Sequence, residues 1–251
     1  MEIMKSGNPT LSEKIFQNSL AASGEEVMTE RGTMNKFFFL FLMVMASASF
    51  TWKAFNEGKD ISVWIIAALI GGLIVAIILT FKMTLAPYLA PAYGLLEGVV
   101  LGGISAVYNN AFSKTAPGIV TQAVLLTFGT VIAMFLLYKF RIIKVTDRLR
   151  SVIFVATGGI CLFYVLAMVL RLFHVDIALI HQGSMIGIGF SLVVVAVAAL
   201  NLLLDFDMIE TGARMGAPKY MEWYGAFGLL VTIVWLYLEI LRLLAKLADR
   251  R

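Results

Sequence analysis

Apolar residues in this chain are gathered into seven long runs: Phe37 to Phe55, Ile61 to Phe81, Tyr88 to Tyr108, Gly118 to Tyr138, Val152 to Leu170, Ser184 to Leu204 and Trp223 to Leu244. Each approaches or reaches the roughly 20 residues that a helix needs to cross a ~30 Å hydrocarbon core. Segments such as VWIIAALIGGLIVAIILTF and SLVVVAVAALNLLL are apolar around the whole helical wheel, with no polar face to turn towards water. The pattern predicts an all-α membrane protein with seven transmembrane helices. Connections as short as Asn56 to Asp60 leave no room for a separate soluble domain between the spans.

Composition agrees: 60% of residues are hydrophobic and 14% charged, too apolar for a water-facing surface. Two regions are expected, a soluble arm over 1–36 and a transmembrane domain over 37–251. The arm carries Glu2, Glu13, Glu25, Glu26 and Glu30 with Lys5, Lys14 and Arg31, unlike a cleavable signal peptide, in which a short basic segment directly precedes a short apolar one. Thr10, Leu11, Ser12 and Glu13 suit the start of a short surface helix carrying Ile15, Phe16 and Leu20.

The single cysteine, Cys161, lies within the fifth span, so no intrachain disulfide forms and redox compartment stays open. A net charge of +4 points to loop orientation rather than to nucleic acid; the lipid bilayer is the expected partner. Placing the N-terminus in the cytoplasm puts the arm, Lys82, the Lys139, Arg141, Lys144, Arg148 and Arg150 cluster, and Arg214 with Lys219 on that side. Arg242, Lys246, Arg250 and Arg251 at the exported end argue the other way. The central basic cluster, opposed only by Asp147, reads as a retention signal, with an anionic-lipid site as the alternative.

Charges at membrane depth are the candidate chemistry. Glu97 falls near the middle of the third span, where a charged carboxylate is costly unless protonated, paired or facing a wet cavity. Gly98 and Gly102 beside it form a small-xxx-small pair that lets another backbone approach. Glu97 is therefore either a neutral packing residue or a site for ion or proton handling. The stretch DFDMIETGARMGAPKYMEW reads as the longest connection after the arm, with Asp205, Asp207, Glu210 and Glu222 concentrated in it. Asp205 and Asp207 point to opposite faces of a helix, so one of them at most faces a given bundle interior; both are either solvated or held near a cation or proton. Glu239, with Arg242 three positions on, reads either as an ion pair or as the outer side of a permeation route. His174, Asp176 and His181 cluster between the fifth and sixth spans, where a solvated loop is expected over a metal site. There is no GxSxG elbow, Walker loop or dinucleotide fingerprint, and no motif of an intramembrane protease. The expectation is a protein that is not an enzyme and has no cofactor beyond a transient cation.

With these charged positions and the order of the spans, the chain resembles the Bax inhibitor-1/YccA family, in particular a bacterial subgroup. The resemblance is carried by NPTLSEKIFQ and GTMNKFFFLF, AYGLLEGVVLGGIS around Glu97, PGIVTQAVLLTFGT, GIGFSLVVVAVAALNLLLDFDMIE, and GAPKYMEWYGAFGLLVTIVWLYLEILRLL. It implies six helices surrounding a central C-terminal helix, a pH-sensitive calcium leak in the bacterial inner membrane, and two aspartates at the ends of helices six and seven that share protons. Asp207, in FDMI, matches the first of these. For the second, ungapped alignment of the ILRLL stretches places Thr232, whereas a gapped one recruits Glu239, about two turns along the same face. The family resemblance also implies a second kind of role, regulation of a membrane protease or stress-response partner through helix packing.

Overall fold

A computed structural model of the chain describes residues 26–173 and 184–250. Its helices are α1 (Glu30–Asn56), α2 (Ser62–Phe81), α3 (Ala86–Ala111), α4 (Ile119–Lys139), α5 (Asp147–Leu172), α6 (Met185–Arg214) and α7 (Met221–Asp249), with a 3₁₀ turn at Met83–Leu85 before α3. All seven spans are long and apolar enough to cross a membrane. Among the described residues the only β-type pairing is the isolated bridge Val27–Pro218. The expected surface helix near Thr10 and the cluster His174, Asp176 and His181 lie outside the described residues.

Two element ends differ from the apolar runs. Helix α1 starts at Glu30 rather than Phe37, because Thr29 caps it: its side chain accepts from the Gly32 N–H at 2.9 Å. Helix α6 runs past Leu204 to Arg214, so Asp205, Asp207 and Glu210 are helical and the connection shrinks to residues 215–220. Leu204, Phe206, Met208 and Ile209, spread around the helix, are all buried, and this burial holds the extra turns in place. Gly216, at φ 73°, supplies the left-handed residue that ends the helix, with the Ala217 N–H donating back to the Gly212 carbonyl at 3.1 Å. Glu222 consequently belongs to the first turn of α7.

The remaining ends follow local chemistry. The Ser62 N–H donates to Asp60 Oδ1 at 2.9 Å at the start of α2, and this bond holds the exposed Asp60 carboxyl below its ordinary range. Ser184 accepts from the Gly187 N–H at 3.1 Å at the start of α6.

Burial sorts the helices. On α2, only Ala68, Gly72 and Leu79 are buried, while Val63, Ile66, Leu69, Ile70, Leu73 and Ile74 are exposed, as lipid contact requires. In α7, 67% of the most apolar window is buried, the largest share of the seven and consistent with a last helix enclosed by the others.

The chain forms two compact units. One comprises Ala111–Phe206 and Thr232–Arg251; the other runs to Asn110 and takes in Asp207–Val231. In the second, α3 packs on α1 through glycines. A Cβ at Gly98 would strike Ser47 Oγ and the Val44 backbone, and one at Gly102 would strike the Ala48 backbone.

Candidate functional site

Glu97 lies midway along α3 and is half-buried. Its side chain hydrogen-bonds to Tyr93, one helical turn earlier on the same face. Tyr93 is itself buried, with its ring edge-on to Phe227 of α7 at a centroid distance of 4.9 Å. Gly72 of α2 passes close by: a Cβ there would stand 4.0 Å from both Glu97 Oε2 and the Tyr93 ring. The acid expected from the sequence is thus held between α2 and α3 by a phenol. Tyr93 was not foreseen, although its i,i+4 spacing from Glu97 carries the signal.

In the same unit Asp207 and Glu210 of α6 are half-buried. Glu222 is completely buried and organises a clasp. Thr29 donates to Glu222 Oε1 from both its N–H and its hydroxyl, each at 2.9 Å, and Lys36 pairs with Oε2. Lys219 Nζ lies 3.4 Å from Oε1. Gly32 makes room for the carboxylate, since a Cβ at that position would overlap it. Backbone bonds extend the clasp: the Met28 N–H donates to the Ala217 carbonyl at 2.7 Å, and the Lys219 N–H to the Glu26 carbonyl at 3.0 Å. Sequence reading named Glu222 as one of four acids in a connection; Lys219 is a local i,i+3 partner, but Thr29 and Lys36 sit nearly two hundred residues earlier, beyond any local pattern.

The other unit holds Asp205, Thr232 and Glu239. Asp205 is fully buried, in contrast to the half-buried Asp207. Thr232 is buried in α7. The structure brings Glu239, also buried, to Arg242 Nη1 at 2.9 Å, giving the i,i+3 pair anticipated from spacing. Two residues not anticipated complete the group. The Tyr164 hydroxyl stands 3.0 and 3.1 Å from the two Glu239 oxygens and accepts from Arg242 at 2.6 Å; Trp235 Nε1 donates to Glu239 Oε1 at 3.3 Å. One turn on, the buried Lys246 donates to the Gly187 carbonyl at 3.1 Å and to Ser191 Oγ at 2.9 Å, tying α7 to the first turn of α6.

Glu239 is therefore paired where it stands, and Tyr164 positions the pair. Tyr164→Phe is expected to lower stability by about 1–2 kcal/mol, because two charged groups lose a hydrogen bond while their direct contact survives beside a partly exposed Arg242. Unfolding in detergent, followed by helical circular dichroism, reads this; an unchanged midpoint would show that the hydroxyl is dispensable.

Seven apolar helices, with carboxylates buried on α6 and α7 and one half-buried on α3, define a polytopic membrane protein with ionisable groups inside its spans. The sequence model of a family described as Bax inhibitor 1 like matches residues 8–249, so the chain belongs to that family. No curated protein and no solved structure matches it.

Proposed function

We propose that this protein is a pH-sensitive cation leak of the bacterial inner membrane, with calcium as its cation by family analogy and the N-terminus in the cytoplasm. The observation that carries this reading is Glu97, a carboxylate halfway along a membrane span whose hydrogen-bond partner is a phenol. A carboxylate in that setting attracts a cation when ionised and releases it when protonated. Asp207, on α6, is the cytoplasmic latch. Glu239, held by Arg242 and Tyr164, is the outer stop. The protein performs no covalent chemistry in this role and needs no resident cofactor.

Calcium entry into dye-loaded liposomes containing the purified protein, compared between about pH 5 and about pH 8, tests the reading. Glu97→Gln mimics the protonated acid, so its flux near pH 8 is expected to match wild-type flux near pH 5 and to lose most of its pH dependence. Asp207→Asn, run alongside, separates the latch from the mid-membrane acid. Equal flux in wild type and the Glu97→Gln, Asp207→Asn double variant would end the proposal.

A second reading, a membrane interaction protein that regulates a protease or stress-response partner, is favoured by the clasp. Residues 26–29 and 217–222 are joined there by hydrogen bonds, uniting the end of the arm with the α6–α7 connection. Folded, inserted protein that passes no calcium would transfer the assignment to that reading.

A further inference from the structure

The basic connection between α4 and α5 is left unused by a cation leak, and its geometry exceeds what a retention signal needs. Helix α4 ends at Lys139, and Arg141 follows with φ 55°, the one described non-glycine residue in the left-handed region. Glycine is the residue that such a position ordinarily takes. The turn is nevertheless closed in full: the Phe140 N–H donates to the Leu136 carbonyl at 2.9 Å and the Ile142 N–H to the Leu137 carbonyl at 3.0 Å. The Arg141 guanidinium carbon lies over the ring of the buried Tyr138, 5.3 Å from its centroid.

Around this turn Lys139, Arg141, Lys144 and Arg148 are exposed, and interleaved with them Phe140 and Ile142 are 70% and 68% exposed. Asp147, the single acid from 139 to 150, stands 3.5 Å from the buried Arg150 and so offsets a charge that is not part of the exposed set. Retention of a loop requires positive charge alone. Large apolar side chains projecting among the cations at the end of a span suit a surface that meets acyl chains and phosphate esters together.

We propose that residues 139–148 form a docking surface for anionic lipid headgroups, with Phe140 and Ile142 entering the acyl boundary and Lys139, Arg141, Lys144 and Arg148 meeting the phosphates. Charge complementarity selects the occupant: an anionic glycerophospholipid over a zwitterionic one.

The full chain, purified in a neutral detergent, is offered phosphatidylglycerol and phosphatidylcholine in equal amounts, and retained lipid is measured by mass spectrometry after gel filtration. Wild type is expected to keep phosphatidylglycerol over phosphatidylcholine by roughly tenfold or more at low salt, with the preference collapsing at high salt. Arg141→Gly, which the left-handed position accepts without strain, should reduce the preference roughly fivefold. Lys139→Gln with Lys144→Gln should reduce it further, in protein whose helical circular dichroism and elution match wild type. Equal retention of the two lipids by wild type, or a preference undiminished in all these variants, would overturn the proposal. So would full displacement of phosphatidylglycerol by an equal concentration of inorganic phosphate, because a free anion would then suffice.

Discussion

Glu222→Ala is expected to destabilise the protein by about 3 kcal/mol, the cost of breaking a buried ion pair from one side. The wild-type carboxylate is completely enclosed and satisfies three donors: the Thr29 N–H, the Thr29 hydroxyl and Lys36. Alanine leaves all three without their acceptor, two of them on Thr29 at the very start of α1, where backbone donors already lack helical partners. The lower end of the usual range applies because Lys36 is 19% exposed and can extend to water or headgroups when released. Glu222→Gln keeps an acceptor for Thr29 and forfeits only the charge, so its cost should be about 1–2 kcal/mol. Adding Lys36→Met to Glu222→Gln should recover part of that loss, and the departure from additivity isolates the pair. The midpoint of unfolding in mixed detergent micelles provides the measurement. A Glu222→Ala midpoint equal to wild type would show that the clasp adds nothing to stability. The same variant also bears on the second functional reading, since it removes the side-chain half of the clasp between residues 26–29 and the α6–α7 connection without touching Glu97 or Asp207.

How far the sequence discloses this arrangement depends on how far apart the interacting residues lie. The helices were legible because α2 and the apolar body of α6 have no polar face, which leaves lipid as their only compatible surroundings. The Glu97 and Gly98/Gly102 grouping was legible for a similar reason: i,i+4 spacing puts small residues on one stripe and an acid beside it. That α1 receives the stripe was not legible, since Val44, Ser47 and Ala48 differ little in character from any other span residues. Glu239 and Arg242 showed their ion pair through i,i+3 spacing, whereas Tyr164, 75 positions away, gave no local sign. The two misplaced helix ends have one origin. Acids near the end of a span look like the beginning of water, and that inference fails when tertiary packing encloses them. Asp205 is buried beside Leu202, Leu203 and Leu204, and Thr29 begins α1 because Glu222 and the Met28–Ala217 bond fix the chain ahead of it. Both ends turn on burial that the rest of the fold supplies, and hydropathy along a single segment cannot register it.

Gly102→Ala is expected to be as damaging as a much larger core change, about 2–3 kcal/mol, although it adds one methyl group. A Cβ at Gly102 would fall on the Ala48 backbone itself, at its carbonyl oxygen, Cα and carbonyl carbon. No rotamer change relieves such an overlap; α1 and α3 must separate, and every van der Waals contact along their seam weakens together. In lipid that loss is felt directly, because close packing rather than water exclusion holds the helices against one another. Gly103→Ala makes the contrast sharp: its Cβ would meet Ile65 Cδ1 and Cγ1, the flexible end of a side chain, and a rotamer shift should contain the cost below about 1 kcal/mol. Gly129→Ala supplies the opposite sign, since nothing lies within 4 Å of its Cβ and the helix gains alanine's higher propensity, up to about 1 kcal/mol. Unfolding midpoints for the three variants should therefore fall in the order Gly129→Ala, wild type, Gly103→Ala, Gly102→Ala. If Gly102→Ala matched Gly103→Ala, the approach of α1 to α3 would be loose, and the seam would not hold Glu97 at a fixed depth. If the order holds, the same three proteins connect packing to function: calcium flux should persist in Gly129→Ala and fall in Gly102→Ala, because opening the α1–α3 seam displaces Glu97 and Tyr93 together.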